Sequence, residues 1–200
     1  YYNFLKIFDF MEMDKKKSIC IIGGGNIGTL LLADLGKNKN ISLKLLTSKS
    51  ELWSDKIFSY SKSNQVNAIG YIDTISNDPS IVIPNSDIII STLPSNIFHA
   101  QADHIKKYVN IDSWIGFMPG GGGVEFICQD LIEKGCLLFG FQRVHGIARV
   151  KEYGKSVYDL GKKEELFIAS VPSSKTQIVC NFFENILNIK CKSLPNYLNV

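Results

Sequence analysis

The sequence has no cysteine pair at C-x-x-C spacing and no run approaching the roughly 18 apolar residues that a membrane-spanning helix requires. Its five cysteines (Cys20, Cys128, Cys136, Cys180, Cys191) are odd in number and scattered, so neither a metal site nor a secreted disulfide framework is expected. This usage fits a reducing cytoplasm. Charged residues make up only 20% of the chain, and the net charge of +3 comes from lysines interspersed with acids. That distribution offers no basic face for nucleic acid, and neither a nucleic-acid nor a membrane partner is expected. No segment is repetitive enough to count as low complexity. Residues 1–10 are aromatic and apolar but short, with Asp9 among them, and the lysines at 15–17 follow that run, the wrong order for a signal peptide. Residues 1–14 are read as an extension preceding one domain, residues 15–200. A hydrophobic share of 45% is enough for an ordinary core.

Against this background one stretch stands out, Lys17-Ser18-Ile19-Cys20-Ile21-Ile22-Gly23-Gly24-Gly25-Asn26-Ile27-Gly28. An apolar strand runs into glycines and then into the helical run Thr29-Leu30-Leu31-Leu32-Ala33-Asp34-Leu35. Gly23, Gly25 and Gly28 satisfy G-x-G-x-x-G between a strand and a helix, the context in which that motif cradles a dinucleotide. Gly23 permits the turn, Gly25 admits a pyrophosphate, and Gly28 lets helix and strand pack closely. The helix start, with Asn26 and Ile27, offers free N–H groups to the phosphates. Residues 41–47 read as the second, parallel strand of a strand–helix–strand unit. Its tip, Thr47-Ser48-Lys49, has no acid to hold the ribose 2′-hydroxyl of NAD. NADP is therefore favoured over NAD, with Thr47, Ser48 and Lys49 around the 2′-phosphate.

Further strands are expected at 87–92 and 113–118, each running into a loop at the same sheet edge. The first loop is Leu93-Pro94-Ser95-Asn96, followed by a helix over 97–108 that carries His99 and His104. The second is Pro119-Gly120-Gly121-Gly122-Gly123, followed by one helix over 124–134. In doubly wound sheets ligands sit beyond the carboxyl ends of the strands, so Leu93, Pro94, Ser95, Pro119, Gly120 and Gly121 join the expected cofactor site. Residues 51–61 read as irregular, with Trp53 a hydrophobic anchor. Residues 65–76 suggest strands outside the nucleotide unit. Residues 136–142 continue the sheet, and 144–150, 156–160 and 166–170 read as antiparallel strands added to one side of it. An amphipathic helix over 173–187 and a short strand over 188–194 close the chain. The fold class is α/β: a Rossmann-type, doubly wound, mostly parallel sheet with antiparallel strands added in the C-terminal part.

The chain resembles the nucleotide-binding domain of the opine (octopine/nopaline-type) dehydrogenases. The resemblance rests on Ile22–Gly28, Leu93-Pro94-Ser95, Met118–Gly123, Arg149-Val150-Lys151-Glu152-Tyr153-Gly154-Lys155 and Leu160-Gly161-Lys162-Lys163-Glu164-Glu165. It implies NAD(P)H-dependent reductive condensation of an α-keto acid with the amino group of an amino acid. It also implies a helical second domain, absent from these 200 residues, that carries the family's catalytic residues. The face meant for that domain would be apolar and would invite association, for instance as a homodimer. Where the family tends to show Pro-Trp-x-Cys-Arg, this chain has Val144-His145-Gly146-Ile147-Ala148-Arg149, and only Arg149 matches. That departure makes His145 a candidate general acid or base. Other readings of the same nucleotide domain are a ketopantoate reductase or glycerol-3-phosphate dehydrogenase type of enzyme, or a module that binds dinucleotide without turnover.

Overall fold

The structure is a computed structural model, and it describes residues 16–200; the expected 1–14 extension lies outside the described residues. Strand β1 (Lys17–Ile22) alternates its side chains between two cores. Ile19 and Ile21 face one, Cys20 and Ile22 the other, and all four are buried. A strand covered on both faces has to be apolar throughout, as this one is. β1 pairs in parallel with β2 (Ile41–Leu46) on one side and with β6 (Ile88–Ser91) on the other. Beyond β6 lie β7 (Trp114–Phe117) and β8 (Leu137–Phe141), also parallel. The short β5 (Thr74–Ser76) extends the opposite edge in parallel with β2. β11 (Glu165–Val171) then pairs antiparallel with β8, and β12 (Lys190–Ser193) lies parallel to β11. The sheet thus has eight strands in the order β12-β11-β8-β7-β6-β1-β2-β5.

Helices cover both faces. On one face, α1 (Asn26–Leu35) and α6 (Thr176–Leu187) pack over Ile19, Ile21, Phe139 and Phe141. The other face carries α2 (Pro79–Val82), α3 (Ser95–Lys106), α4 (Val124–Ile127) and α5 (Gln129–Glu133). Each buried Leu, Ile or Phe contributes about 1.5–3 kcal/mol, so these two layers carry most of the stability.

Four strands form a second sheet, in the order β4-β3-β10-β9. They are β3 (Lys56–Tyr60), β4 (Val66–Tyr71), β9 (Gly146–Glu152) and β10 (Ser156–Lys162). This sheet lies over the outer side of α1, where Leu30 packs with Ala148 and Val157. Gly70 makes the approach possible, since a Cβ there would stand 2.4 Å from the Leu32 carbonyl oxygen. Covered on both sides, α1 is buried from Gly28 to Leu35.

Four expectations need correction. Of the three strands expected to add antiparallel to the main sheet, only 165–171 does so; β9 and β10 belong to the second sheet. Their alternating pattern buries one face, which does not say against what. The segment read as irregular contains β3, whose pattern Lys56-Ile57-Phe58-Ser59-Tyr60 hides a polar Ser59 on the buried face. Within 65–76, β4 lies outside the nucleotide sheet but β5 is its edge strand. The helix expected over 124–134 is two short helices meeting at Cys128.

A dinucleotide-type crevice at the carboxyl edge

The carboxyl ends of β1, β2, β6 and β7 meet at one edge, and two clefts open there. The first, about 470 Å³, is lined by Gly23, Gly24, Gly25, Thr47, Ser48 and Leu93, and on its far side by Asn77, Gln101, His104 and Tyr153. The second, about 310 Å³, is lined by Thr92, Leu93, Pro94, Asn96, Phe117, Pro119, Gly120 and Gly121. Leu93 belongs to both, so they form one crevice over the end of the sheet. A further cavity of about 520 Å³ lies at the amino ends of β1, β6 and β7, beside Lys17, Asp87 and Trp114. Ligands of doubly wound sheets sit at the other edge, so the carboxyl-end crevice is the candidate site.

The glycine turn is built by its neighbours. Gly23 has φ +106°, a value that disfavours any side chain, and its N–H donates to the Leu46 carbonyl at 3.0 Å. Thr92, at the end of β6, donates its hydroxyl to the Ile22 carbonyl at 3.1 Å and thereby fixes the turn against the neighbouring strand. Gly28 is held by close approach: a Cβ there would stand 2.0 Å from the Gly23 carbonyl oxygen. At Gly24 a Cβ would meet the Trp53 ring at 2.3 Å, so the buried Trp53 anchors this loop from behind. Gly25 differs from these three. A Cβ there meets nothing within 4 Å, because the position opens into the crevice.

The electrostatics suit an anion. Gly25 caps α1 with no side chain to satisfy the first-turn N–H groups, and that turn contains no acid. The positive end of the helix therefore faces the cleft uncompensated. α4 is different, since the Gly123 N–H already donates to the Glu125 carboxylate at 3.0 Å. The Pro119–Gly121 loop is instead tied down by the Gly120 N–H, which donates to the Phe141 carbonyl at 2.6 Å.

The crevice brings together Gly23, Gly25, Thr47, Ser48, Leu93, Pro94, Pro119, Gly120 and Gly121. Ser95 begins α3 beside Pro94. Asn26 turns away: its side-chain oxygen accepts the Val150 N–H at 2.7 Å and ties α1 to the second sheet. Ile27 packs against the core on the α1 face, and Gly28 lies buried beneath the turn. Lys49 is exposed beside the crevice, its Nζ 6.0 Å from the centre of the Tyr153 ring. Asn77, Gln101, His104 and Tyr153 were not among the expected site residues. Tyr153 lies on the turn between β9 and β10, Asn77 in the loop after β5, and Gln101 and His104 on α3, so only the tertiary arrangement places them here.

His145 is outside the crevice. It is fully buried, with Nε2 3.0 Å from Asp34 Oδ2 and Nδ1 3.2 Å from Met118 Sδ. Lys162 also reaches Asp34 with its ammonium and lies 3.4 Å from Asp159. Burial pushes the His145 ring below its usual pKa more strongly than Asp34 pulls it up. Burial would raise Asp34, but the His145 hydrogen bond and the Lys162 charge together hold it below the ordinary carboxylate range. An ionised Asp34 only accepts, so the neutral ring donates Nε2–H to it. Arg149 is exposed on the second sheet and donates to the Ala148 carbonyl at 2.9 Å.

No family model matches the sequence. An opine dehydrogenase of Haliotis discus hannai is 27% identical over 172 residues, covering 77% of this chain and 42% of that protein. An octopine dehydrogenase of Pecten maximus is 26% identical over 163 residues, covering 74% and 41%. The chain is similar in sequence to the opine dehydrogenases. It spans about two fifths of the length of the curated relatives it matches. Among solved structures, octopine dehydrogenase with NADH and L-arginine superposes with a TM-score of 0.81 at 23% identity, over 91% of this chain and 49% of that one. A yersinopine dehydrogenase with NADP+ bound gives 0.72 at 10% identity, covering 92% and 49%. A ketopantoate reductase of Ralstonia eutropha JMP134 gives 0.67 at 16%, covering 90% and 57%. At these identities the superpositions establish the Rossmann-type fold.

Proposed function

We propose that this chain is the NAD(P)H-binding region of an opine dehydrogenase-like oxidoreductase, an enzyme that joins an amino acid to an α-keto acid reductively. The observation that carries the reading is the open position at Gly25, set against an uncapped, acid-free helix start in a crevice at the carboxyl edge. Gly25 admits a pyrophosphate to the backbone, and the amides of Asn26, Ile27 and Gly28 donate towards it. Thr47, Ser48 and Lys49 lie on the adenosine side, where the missing acid favours NADP over NAD. Pro94 and Ser95 border the second ribose, and Pro119, Gly120 and Gly121 lie towards the nicotinamide. The bound cofactor supplies hydride to the carbon of the C=N bond formed when the amino nitrogen condenses with the keto carbon and water leaves. Buried and committed to Asp34, His145 serves the packing of α1 against Met118 and the second sheet and does not line the crevice.

The functional domain is residues 15–200, and the groups that act on substrate belong to a further, helical domain of the enzyme. Phe126, which follows the Pro119–Gly123 loop on α4, and Leu198 near the end of the chain are 75% and 84% exposed and offer apolar surface for such a domain or for a homodimer. All five cysteines are unpaired and buried, which supports a cytoplasmic location. Among the described residues, no helix is long and apolar enough to cross a membrane. A second reading, a ketopantoate reductase type of enzyme, is favoured by the fold likeness alone. Calorimetric titration of the chain with NADPH and NADH tests the proposal. Binding of either in the micromolar range is expected, and absence of binding to both would overturn it. If both enzyme readings fail while binding persists, the chain is a silent dinucleotide module.

A further inference from the structure

We infer that the second sheet completes the dinucleotide site, with Tyr153 as the wall facing the adenosine end; this rests on the reading of the crevice given above. Tyr153 stands at the turn between β9 and β10, far in sequence from the glycine motif, yet it lines the same cleft as Gly24, Thr47 and Ser48. Its position is fixed rather than incidental. Its ring packs edge to face on Trp53, with centroids 5.6 Å apart and planes at 72°. Trp53 in turn backs the Gly24 loop. Behind Tyr153, Gly154 has φ +73°, and a Cβ there would stand 2.2 Å from the Leu52 carbonyl oxygen. The Gly154 carbonyl accepts the Ser54 N–H at 2.9 Å, locking the hairpin tip to the turn that follows Lys49.

A tyrosine pinned from behind still keeps 39% of its surface open and lines the cleft. A large aromatic left exposed beside a polar cleft offers a flat π-surface, the complement of a purine ring. The end of β2 defines which half of the dinucleotide lies here, because in this architecture it meets the adenosine ribose. The Lys49 ammonium lies 6.0 Å over the same ring, so Tyr153 also restrains the one cation proposed for the 2′-phosphate. The second sheet therefore has a function besides covering α1: its hairpin tip closes the adenosine side of the crevice.

Titration of the full chain and its variants with NADH and with ADP-ribose, which keeps the adenosine but lacks the nicotinamide, tests the inference. Tyr153→Phe keeps the ring and should bind both ligands within about twofold of the parent. Tyr153→Leu keeps apolar bulk without a π-face and should weaken both by the same factor, about tenfold, at an unchanged melting temperature. The inference is overturned if Tyr153→Leu binds ADP-ribose as tightly as the parent does. It is equally overturned if NADH weakens while ADP-ribose does not, since the ring would then serve the nicotinamide. A parent chain that binds neither ligand sinks the dinucleotide reading itself, a result separable from either of these.

Discussion

His145 Nε2 and Asp34 Oδ2 lie 3.0 Å apart in the interior although 111 positions separate them in the chain. Asp34 is the one charged residue in a helix buried on both sides, and it is tolerated because His145 and Lys162 both converge on it. An unpaired buried charge costs several kcal/mol, whereas a paired one is close to neutral. Removing a partner is therefore more damaging than the pair is stabilising.

His145→Ala should destabilise the fold by about 3–5 kcal/mol, since it opens a cavity and strips Asp34 of its buried partner. Lys162→Ala should cost about 1 kcal/mol, because Lys162 keeps a third of its side chain in water and solvent screens its pair. Urea unfolding midpoints of the two variants measure the difference. Equal losses would mean that Asp34 depends on Lys162 as much as on the buried ring.

Both buried groups make the fold acid-sensitive. The Asp34 carboxyl is held below its ordinary pKa, so its stabilisation is present above about pH 4 and is lost as pH falls through the native value. The His145 ring is also held low, so below about pH 6.5 the unfolded chain takes up a proton that the native state refuses. Stability should therefore fall steadily from about pH 7 towards pH 5, by up to about 1.4 kcal/mol per pH unit for this one site. His145→Gln should flatten that slope in urea unfolding series across the same range, while leaving the loss near pH 4 in place.

The glycine motif, the parallel sheet and the three loops at its edge were all legible, because they rest on local patterns: an apolar strand, then glycine, then helix. The second sheet was not. Period-two alternation reports that one face of a strand is buried, but Ala148 and Val157 are buried against Leu30 of α1, and nothing local names that partner. The same gap hid Tyr153, which enters the crevice only because β9 and β10 fold over α1. His145 was singled out from a family pattern, yet what fixes its position is Asp34, a residue that reads in sequence as an ordinary polar break in a leucine run. The break was the available signal: a carboxylate within an all-apolar helix demands a buried partner.

Two glycines of the motif should fail in opposite ways when replaced by alanine. At Gly25 the added methyl meets open space, and the backbone, φ −82° and ψ −169°, suits any residue. Gly25→Ala should therefore fold normally but weaken dinucleotide binding by about tenfold or more, since the methyl fills the space the pyrophosphate needs. At Gly28 the methyl would stand 2.0 Å from backbone that has no room to move. Gly28→Ala should lower stability by about 1–3 kcal/mol through overpacking. Thermal melts and calorimetric titrations of the two proteins separate the effects. A Gly25→Ala variant that binds as the parent does would remove the pyrophosphate from this turn.

The proposed preference for NADP rests on Lys49. Among the residues proposed around the adenosine ribose it supplies the one positive charge, beside the hydroxyls of Thr47 and Ser48. A charge-assisted hydrogen bond to a phosphate contributes about 1.5–3 kcal/mol, which is about tenfold or more in affinity. NAD lacks that phosphate and has no use for the ammonium. Lys49→Ala should therefore weaken NADPH by about tenfold and leave NADH within about twofold. Lys49→Glu should go further: it repels the 2′-phosphate and places a carboxylate near the 2′-hydroxyl, so the preference should invert towards NADH. The ratio of the two dissociation constants, measured at low and at physiological salt, is the deciding quantity, because a true phosphate contact weakens with ionic strength and a packing effect does not. Equal changes for both cofactors would show that Lys49 acts through the fold of the loop, and the preference for NADP would then lose its support.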